Sequence, residues 1–197
     1  MEIRSAKISS DLSGIVQVHI RAFPGFFMTN MGAAFLQEYY RAVLEFPENI
    51  SLVTIQNNQV IGFVVGFGNP QAFYSFYRQR YRRLITAILL AVLRNPRLIR
   101  RVLSNFKRVS SVRGDALEVE LSSIGVHPSF KGVGHFLIVD FVNLARERGY
   151  QSVYLTTDSE GNDHVNLFYK KQGFILEQTL LSGLSGGRKM NQYRLWL

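Results

Sequence analysis

Apolar residues recur along this chain with two periods, one near 3.6 and one of 2, and the alternation between them lays out the elements. Ile3 to Ile8 alternates weakly and reads as a first or edge strand. From Asp11 to Phe23 the apolar positions are Leu12, Ile15, Val16, Val18 and Ile20, which predicts an amphipathic helix capped by Ser9, Ser10 or Asp11. Phe23-Pro24-Gly25-Phe26-Phe27 breaks it, and Phe35, Leu36, Tyr39, Tyr40, Val43 and Leu44 mark a second helix over Gly32 to Phe46. Ile50–Ile55 and Val60–Phe67 are β-branched and aromatic runs joined by Gln56-Asn57-Asn58-Gln59. Asparagine tolerates positive φ, so a tight hairpin is predicted there. Leu117–Val126 is a strand with Glu118 and Glu120 on one face and Leu117, Val119 and Leu121 on the other. A helix over Gly132–Arg148 ends at Gly149, Ser152–Thr156 is a strand, and Asn162–Lys171 is a short helix. Phe174–Leu180 and Met190–Trp196 close the chain as two strands around the glycine-rich loop 182–187. This order predicts an α/β fold: a mixed central sheet flanked by helices.

Composition places this pattern in one domain over residues 1–197, since 47% of the residues are hydrophobic and a disordered chain would lack that apolar surface. The formal net charge of +9 invites a nucleic-acid reading until it is located. Eleven of the 23 basic residues lie between Asn69 and Arg113, with none of the 14 acidic ones, which leaves 12 basic against 14 acidic elsewhere. The excess charge belongs to a basic helical insertion over 69–114, between the third and fourth strands, and about 45 residues rarely bury a core of their own. There is no cysteine, which excludes thiolate catalysis, disulfides and cysteine metal sites and suits a cytoplasmic protein. Met1-Glu2-Ile3-Arg4 does not open a signal peptide. The longest apolar run, Leu84–Leu93, is well short of the ~20 residues that span a bilayer. No His/Asp/Glu group has metal-ligand spacing.

Candidate chemistry concentrates between Leu121 and Phe174. The strand ending at Val126 runs into Pro128-Ser129-Phe130-Lys131-Gly132-Val133-Gly134 and then a helix. Gly132 and Gly134 allow a turn that exposes successive N–H groups at a helix N-terminus, which favours an anion, and Lys131 adds charge. An ordinary strand-to-helix turn is the competing reading. The turn is neither a Walker motif nor a Rossmann fingerprint, because Leu137 stands where the third glycine would be. About 30 residues on, Asn162-Asp163-His164-Val165-Asn166-Leu167-Phe168-Tyr169-Lys170-Lys171-Gln172-Gly173-Phe174 has the form N-x-x-V-x-x-F-Y-x-K-x-G-F. Together, in this order and with a strand between them, the two elements resemble the GNAT acyltransferase superfamily.

The pattern of that family before the helix is Q/R-x-x-G-x-G/A. One register sets Ser129 first with Gly132 and Gly134; the other sets Lys131 first with Gly134 and Phe136. The first buries Val133, Leu137, Ile138, Phe141, Val142 and Ala145, whereas the second turns Asp140 and Asn143 inward, so the first is preferred. It makes the turn about two residues shorter than usual and puts Ser129 where Gln or Arg is customary. The resemblance implies acetyl-CoA or another acyl-CoA. Its pantetheine would run beside Ile124, Gly125 and Val126, and its pyrophosphate would rest on the amides of Lys131, Gly132, Val133, Gly134, His135 and Phe136, with Phe168 and Asn162 supporting it. Asn162 is also a candidate helix N-cap. Tyr169 matches the family tyrosine that serves the departing sulfur; an aromatic pair with Phe168 is the alternative. Glu120 is the candidate base, with Glu118 on the same face; a solvated strand face is the alternative. His127 reads as structural or loop-exposed.

The resemblance implies direct N-acetyl transfer to a primary amine. The basic segment, with Phe73, Tyr74, Phe76, Tyr77 and Tyr81 among its arginines, leaves the acceptor open. It fits a wall of the acceptor pocket suited to an anionic small molecule. It also fits a peripheral contact with an anionic membrane surface, an RNA contact, or simply a solvated basic face. Phe23–Phe27 would border the same cleft. No nucleic acid is expected as a partner. The alternative of a different class is a non-catalytic module that keeps the CoA-binding fold.

Overall fold

A computed structural model describes residues 1–80, 115–182 and 188–197, together with Ile88, Val92 and Leu93. The elements are β1 (Glu2–Ser5), α1 (Ile8–Ala22), α2 (Phe27–Asn30), α3 (Ala33–Glu45), β2 (Asn49–Gln56), β3 (Gln59–Gly68) and α4 (Pro70–Gln79). Then follow β4 (Glu118–Val126), α5 (Val133–Glu147), β5 (Ser152–Asp158), α6 (Asp163–Lys171), β6 (Ile175–Ser182) and β7 (Arg188–Trp196). The strands form one seven-stranded sheet in the order β1-β2-β3-β4-β5-β7-β6. Every pairing is antiparallel except β4 with β5.

The periodicities resolve into two cores, one on each sheet face. On one face α5 lays down Val133, Leu137, Ile138, Phe141, Val142 and Ala145, the residues that the Ser129 register buries, against Val119, Leu121 and Val153. On the other, α1 and α3 bury Leu12, Ile15, Leu36, Tyr40 and Val43 against Val53, Phe63 and Phe67. The hairpin turn has Asn57 and Asn58 at φ of 50° and 59°, the left-handed pair that a two-residue hairpin turn requires.

Three local differences from the sequence reading have physical reasons. The first helix begins at Ile8, and its cap position is Lys7. Asp11 lies inside the first turn, where its carboxylate accepts the Lys7 N–H at 2.7 Å and both guanidinium nitrogens of Arg4, at 2.7 and 2.9 Å. Phe27–Asn30 adds a short helix after the break. The described part of the basic segment, α4, is built into the core. Asn69 accepts the Ala72 N–H at 3.1 Å, and fully buried Phe73 stacks on Phe67 with ring centroids 3.7 Å apart. Ile88 and Val92 pack on Met31 and Phe35. The remainder of the 69–114 reading, including most of its arginines, lies outside the described residues, as does loop 183–187.

Gly66 on β3 fixes how closely β4 can approach. A Cβ there would lie 2.4 Å from the Glu120 carbonyl oxygen and 2.6 Å from Phe141 Cζ. Gly66→Ala is therefore expected to lower stability by about 1–3 kcal/mol, read as a fall in the urea midpoint.

Candidate active site

The site begins where β4 and β5 part. They pair only through Glu118↔Ser152, Val119↔Val153 and Glu120↔Tyr154. Among the described residues no strand pairs with the β5 side of β4 from Leu121 to Val126, while β3 still pairs with β4 on its other side. Backbone groups along Ile124, Gly125 and Val126 therefore face a wedge that an extended ligand can enter by strand-like pairing.

At the wide end of the wedge lies the turn into α5. Gly132 is the N-cap at φ 81°, in the left-handed region that suits glycine. The N–H groups of Lys131, Gly132, Val133 and Gly134 make no hydrogen bond among the described residues. His135 differs from the sequence reading: its N–H donates to the Gly132 carbonyl at 3.2 Å, so the cradle is narrower than predicted. Its ring bonds Gln172 at 2.8 Å, which ties α5 to the end of α6. Ser129 and Lys131 are exposed beside the turn, and Phe136 is 50% exposed on the outer face of α5. Phe168 of α6 reaches Gly134, its Cζ 3.6 Å from where a Gly134 Cβ would stand. His127 Nε2 lies 2.7 Å from an Arg21 nitrogen, and its backbone N–H donates to Ile61.

The narrow end is polar on the face toward α3 and α4. Glu120 accepts the Tyr74 hydroxyl on Oε1 at 2.9 Å and the Tyr154 hydroxyl on Oε2 at 2.8 Å. Glu118 is on the same face, but Arg194 of β7 donates to it at 2.5 Å and to Glu177 at 3.0 Å. Two tyrosine hydroxyls thus meet Glu120, and a guanidinium meets Glu118. Tyr74, Tyr154 and Arg194 come from three separate elements and belong to no motif, so sequence reasoning had no signal for them.

Tyr169 is buried on α6, with its ring 5.4 to 6.1 Å from Phe168, Phe174 and Tyr193. Burial pushes its phenol well above the usual value near 10, so it stays protonated at neutral pH. Its hydroxyl makes no hydrogen bond among the described residues. Buried Asn166, one turn earlier, pins α6. Its amide nitrogen donates to the Asp158 and Asn162 carbonyls at 2.9 Å each, and its Oδ1 accepts Asn191 at 2.9 Å and Tyr193 at 3.0 Å. Asn162 occupies the cap position without a side-chain cap; its amide donates to Thr157 Oγ1 at 2.8 Å instead.

Among the described residues no group of three His, Asp or Glu is placed to hold a metal ion, and no helix is long and apolar enough to cross a membrane.

The profile of the Acetyltransferase (GNAT) family matches residues 14–174, and the chain belongs to that family of acyl-CoA-dependent N-acetyltransferases. No curated protein matches the sequence. The solved structures that share the fold include ribosomal-protein-alanine N-acetyltransferase from Brucella melitensis, at 17% identity and TM-score 0.64, with 100% of each chain covered. Ard1 from Thermoplasma volcanium is 18% identical with TM-score 0.63, covering 100% of this chain and 97% of its own. Drosophila melanogaster polyamine N-acetyltransferase, which catalyses the formation of N-acetylagmatine, is 14% identical with TM-score 0.63, covering 100% and 99%. At these identities the likeness concerns the fold.

Proposed function

We propose that the protein transfers an acetyl group from acetyl-CoA directly to a primary amine, with Glu120 as base and Tyr169 as acid. The observation that carries this reading is the wedge itself. Strand-like backbone at Ile124–Val126 leads from a carboxylate held by two phenols to four unspent amides at a helix N-terminus. The residues fit the cofactor: the amides of Lys131–Gly134 suit a pyrophosphate, and the β4 edge suits the amide groups of pantetheine.

Acetyl-CoA supplies an activated acyl group, whose C–S bond breaks as the N–C bond to the amine forms. The incoming ammonium must first lose a proton, and Glu120 takes it. Glu118, on the same face, is already engaged by Arg194. Tyr169, kept protonated by burial, donates to the departing sulfur, and the second proton, lost as the acylated nitrogen becomes an amide, restores the phenol. An amine acceptor is also what the names of the polyamine and ribosomal-protein-alanine acetyltransferases record for those proteins.

Acetyl-CoA and desulfo-CoA are expected to raise Tm in thermal-shift titrations up to millimolar ligand, by the linkage of binding to folding. No shift at millimolar ligand would overturn the acyltransferase reading and favour a module that keeps the fold without the cofactor.

A further inference from the structure

Neighbouring residues of a regular strand point to opposite faces, so two consecutive serines do not both reach the same helix. On β4 they do. β3 pairs Gly66 with Leu121 and Val65 with Ser123, which leaves Ser122 as an extra residue without a β3 partner. This bulge turns Ser122 and Ser123 to one face. Facing them are consecutive tyrosines of α3. The Tyr39 hydroxyl bonds Ser122 Oγ, and the Tyr40 hydroxyl donates to Ser123 Oγ at 3.2 Å. The two rings meet edge to face with centroids 5.3 Å apart. Tyr40 is fully buried and is held from behind by His19 Nδ1 at 2.6 Å. When Tyr40 donates to Ser123, His19 donates to Tyr40, so the three groups form one directed chain.

The bulge lies two residues beyond Glu120↔Tyr154, the last pair before β4 and β5 separate. We propose that Tyr39 and Tyr40 are positioning residues that latch α3 onto the β4 bulge through Ser122 and Ser123 and so set where the β4 backbone meets the acyl end of acetyl-CoA. The inference rests on the cofactor reading above. Packing alone does not ask for these hydroxyls, because phenylalanine fills the volume of either ring. What the hydroxyls add is direction, at the point where the strand leaves the sheet. A bulge beside an active site commonly serves to re-aim the chain.

The test uses the full chain with acetyl-CoA carrying ¹³C at the acetyl carbonyl, in wild type, Tyr39→Phe, Ser122→Ala and the double variant. Isotope-edited infrared reads the bound carbonyl, calorimetry reads the Kd, and thiol release reads turnover with agmatine and spermine. Each single variant is expected to shift the carbonyl band, to keep Kd within about threefold, and to lose about tenfold in turnover on whichever amine the wild type acetylates. The double variant is expected to be no worse than the poorer single one, since either change breaks the same contact. A band that stays in place in every variant overturns the latch, as does a double variant whose loss is the product of the two single losses. If Tyr39→Phe does not fold, Ser122→Ala carries the band measurement alone. Wild type that fails to bind acetyl-CoA overturns the cofactor reading and the latch with it. Wild type that binds, beside variants with an unmoved band, overturns only the latch.

Discussion

Tyr169→Phe is expected to lower turnover about a hundredfold while leaving the Kd for acetyl-CoA within about threefold. The change removes one oxygen from a ring that would otherwise sit unaltered among Phe168, Phe174 and Tyr193. α6 is held independently by Asn166, so the helix has no reason to move. What is lost is a protonated donor for the departing thiolate, and that matters only once the C–S bond is breaking. The expected signature is a fall in kcat with a nearly constant Kd. The measurement is steady-state thiol release beside calorimetric titration. An unchanged rate would take Tyr169 out of the mechanism and leave it as a packed core tyrosine.

His19 should make the fold acid-sensitive well above the range in which carboxylates titrate. Burial lowers its pKa from 6.5 to about 4 in the folded protein. Between those values the unfolded chain holds a proton that the folded chain refuses. The contribution is therefore complete above pH 6.5 and is lost as pH falls toward 4. The expected loss over that interval is about 3 kcal/mol. Asp11 acts at lower pH. Its carboxylate is desolvated, which opposes ionisation, but the Arg4, Lys7 and Ser10 hydrogen bonds win and hold its pKa below 3.8. Its stabilising effect is lost only as pH falls below that value. Urea unfolding at pH 7.5, 6.5, 5.5 and 4.5 reads the His19 window while Asp11 stays ionised, and a further point at pH 3 enters the Asp11 window. His19→Gln, which keeps a polar group toward Tyr40 but does not titrate, is expected to flatten the slope between pH 6.5 and 4.5. A slope unchanged in that variant would assign the acid sensitivity to other groups.

Much of the fold is legible in one dimension because it rests on local rules. The 3.6 period of α5 selected the Ser129 register by asking which residues would be buried, and the six it picked are the six that are buried. Asn57-Asn58 announced its hairpin through the positive φ that asparagine tolerates. The elements of the cofactor cradle are likewise local, since a turn and the helix after it share one stretch of chain. Charge was a weaker guide. Its excess sits in 69–113, yet the first turns of that stretch fold into the core around Phe73, because an aromatic at the right spacing outweighs its arginine neighbours once it can be buried.

The polar half of the site was not legible, for a geometric reason. Alternation put Glu118 and Glu120 on one face, but it could not tell them apart; β7 brings Arg194 to the first, while α4 and β5 bring Tyr74 and Tyr154 to the second. Alternation also puts Ser122 and Ser123 on opposite faces, and the bulge reverses that. His19 sits in an amphipathic helix like any other polar residue, and only the packing of Phe23, Tyr40 and Phe63 around it makes it a buried neutral imidazole. The sequence by itself determined the order of elements, the buried helix faces and the turn that opens α5, because each depends on neighbours within a few residues. Tertiary structure decided which side chains meet each carboxylate, where β4 leaves β5 and which tyrosines reach it. Those contacts join residues as far apart as Glu118 and Arg194, and no local period encodes them.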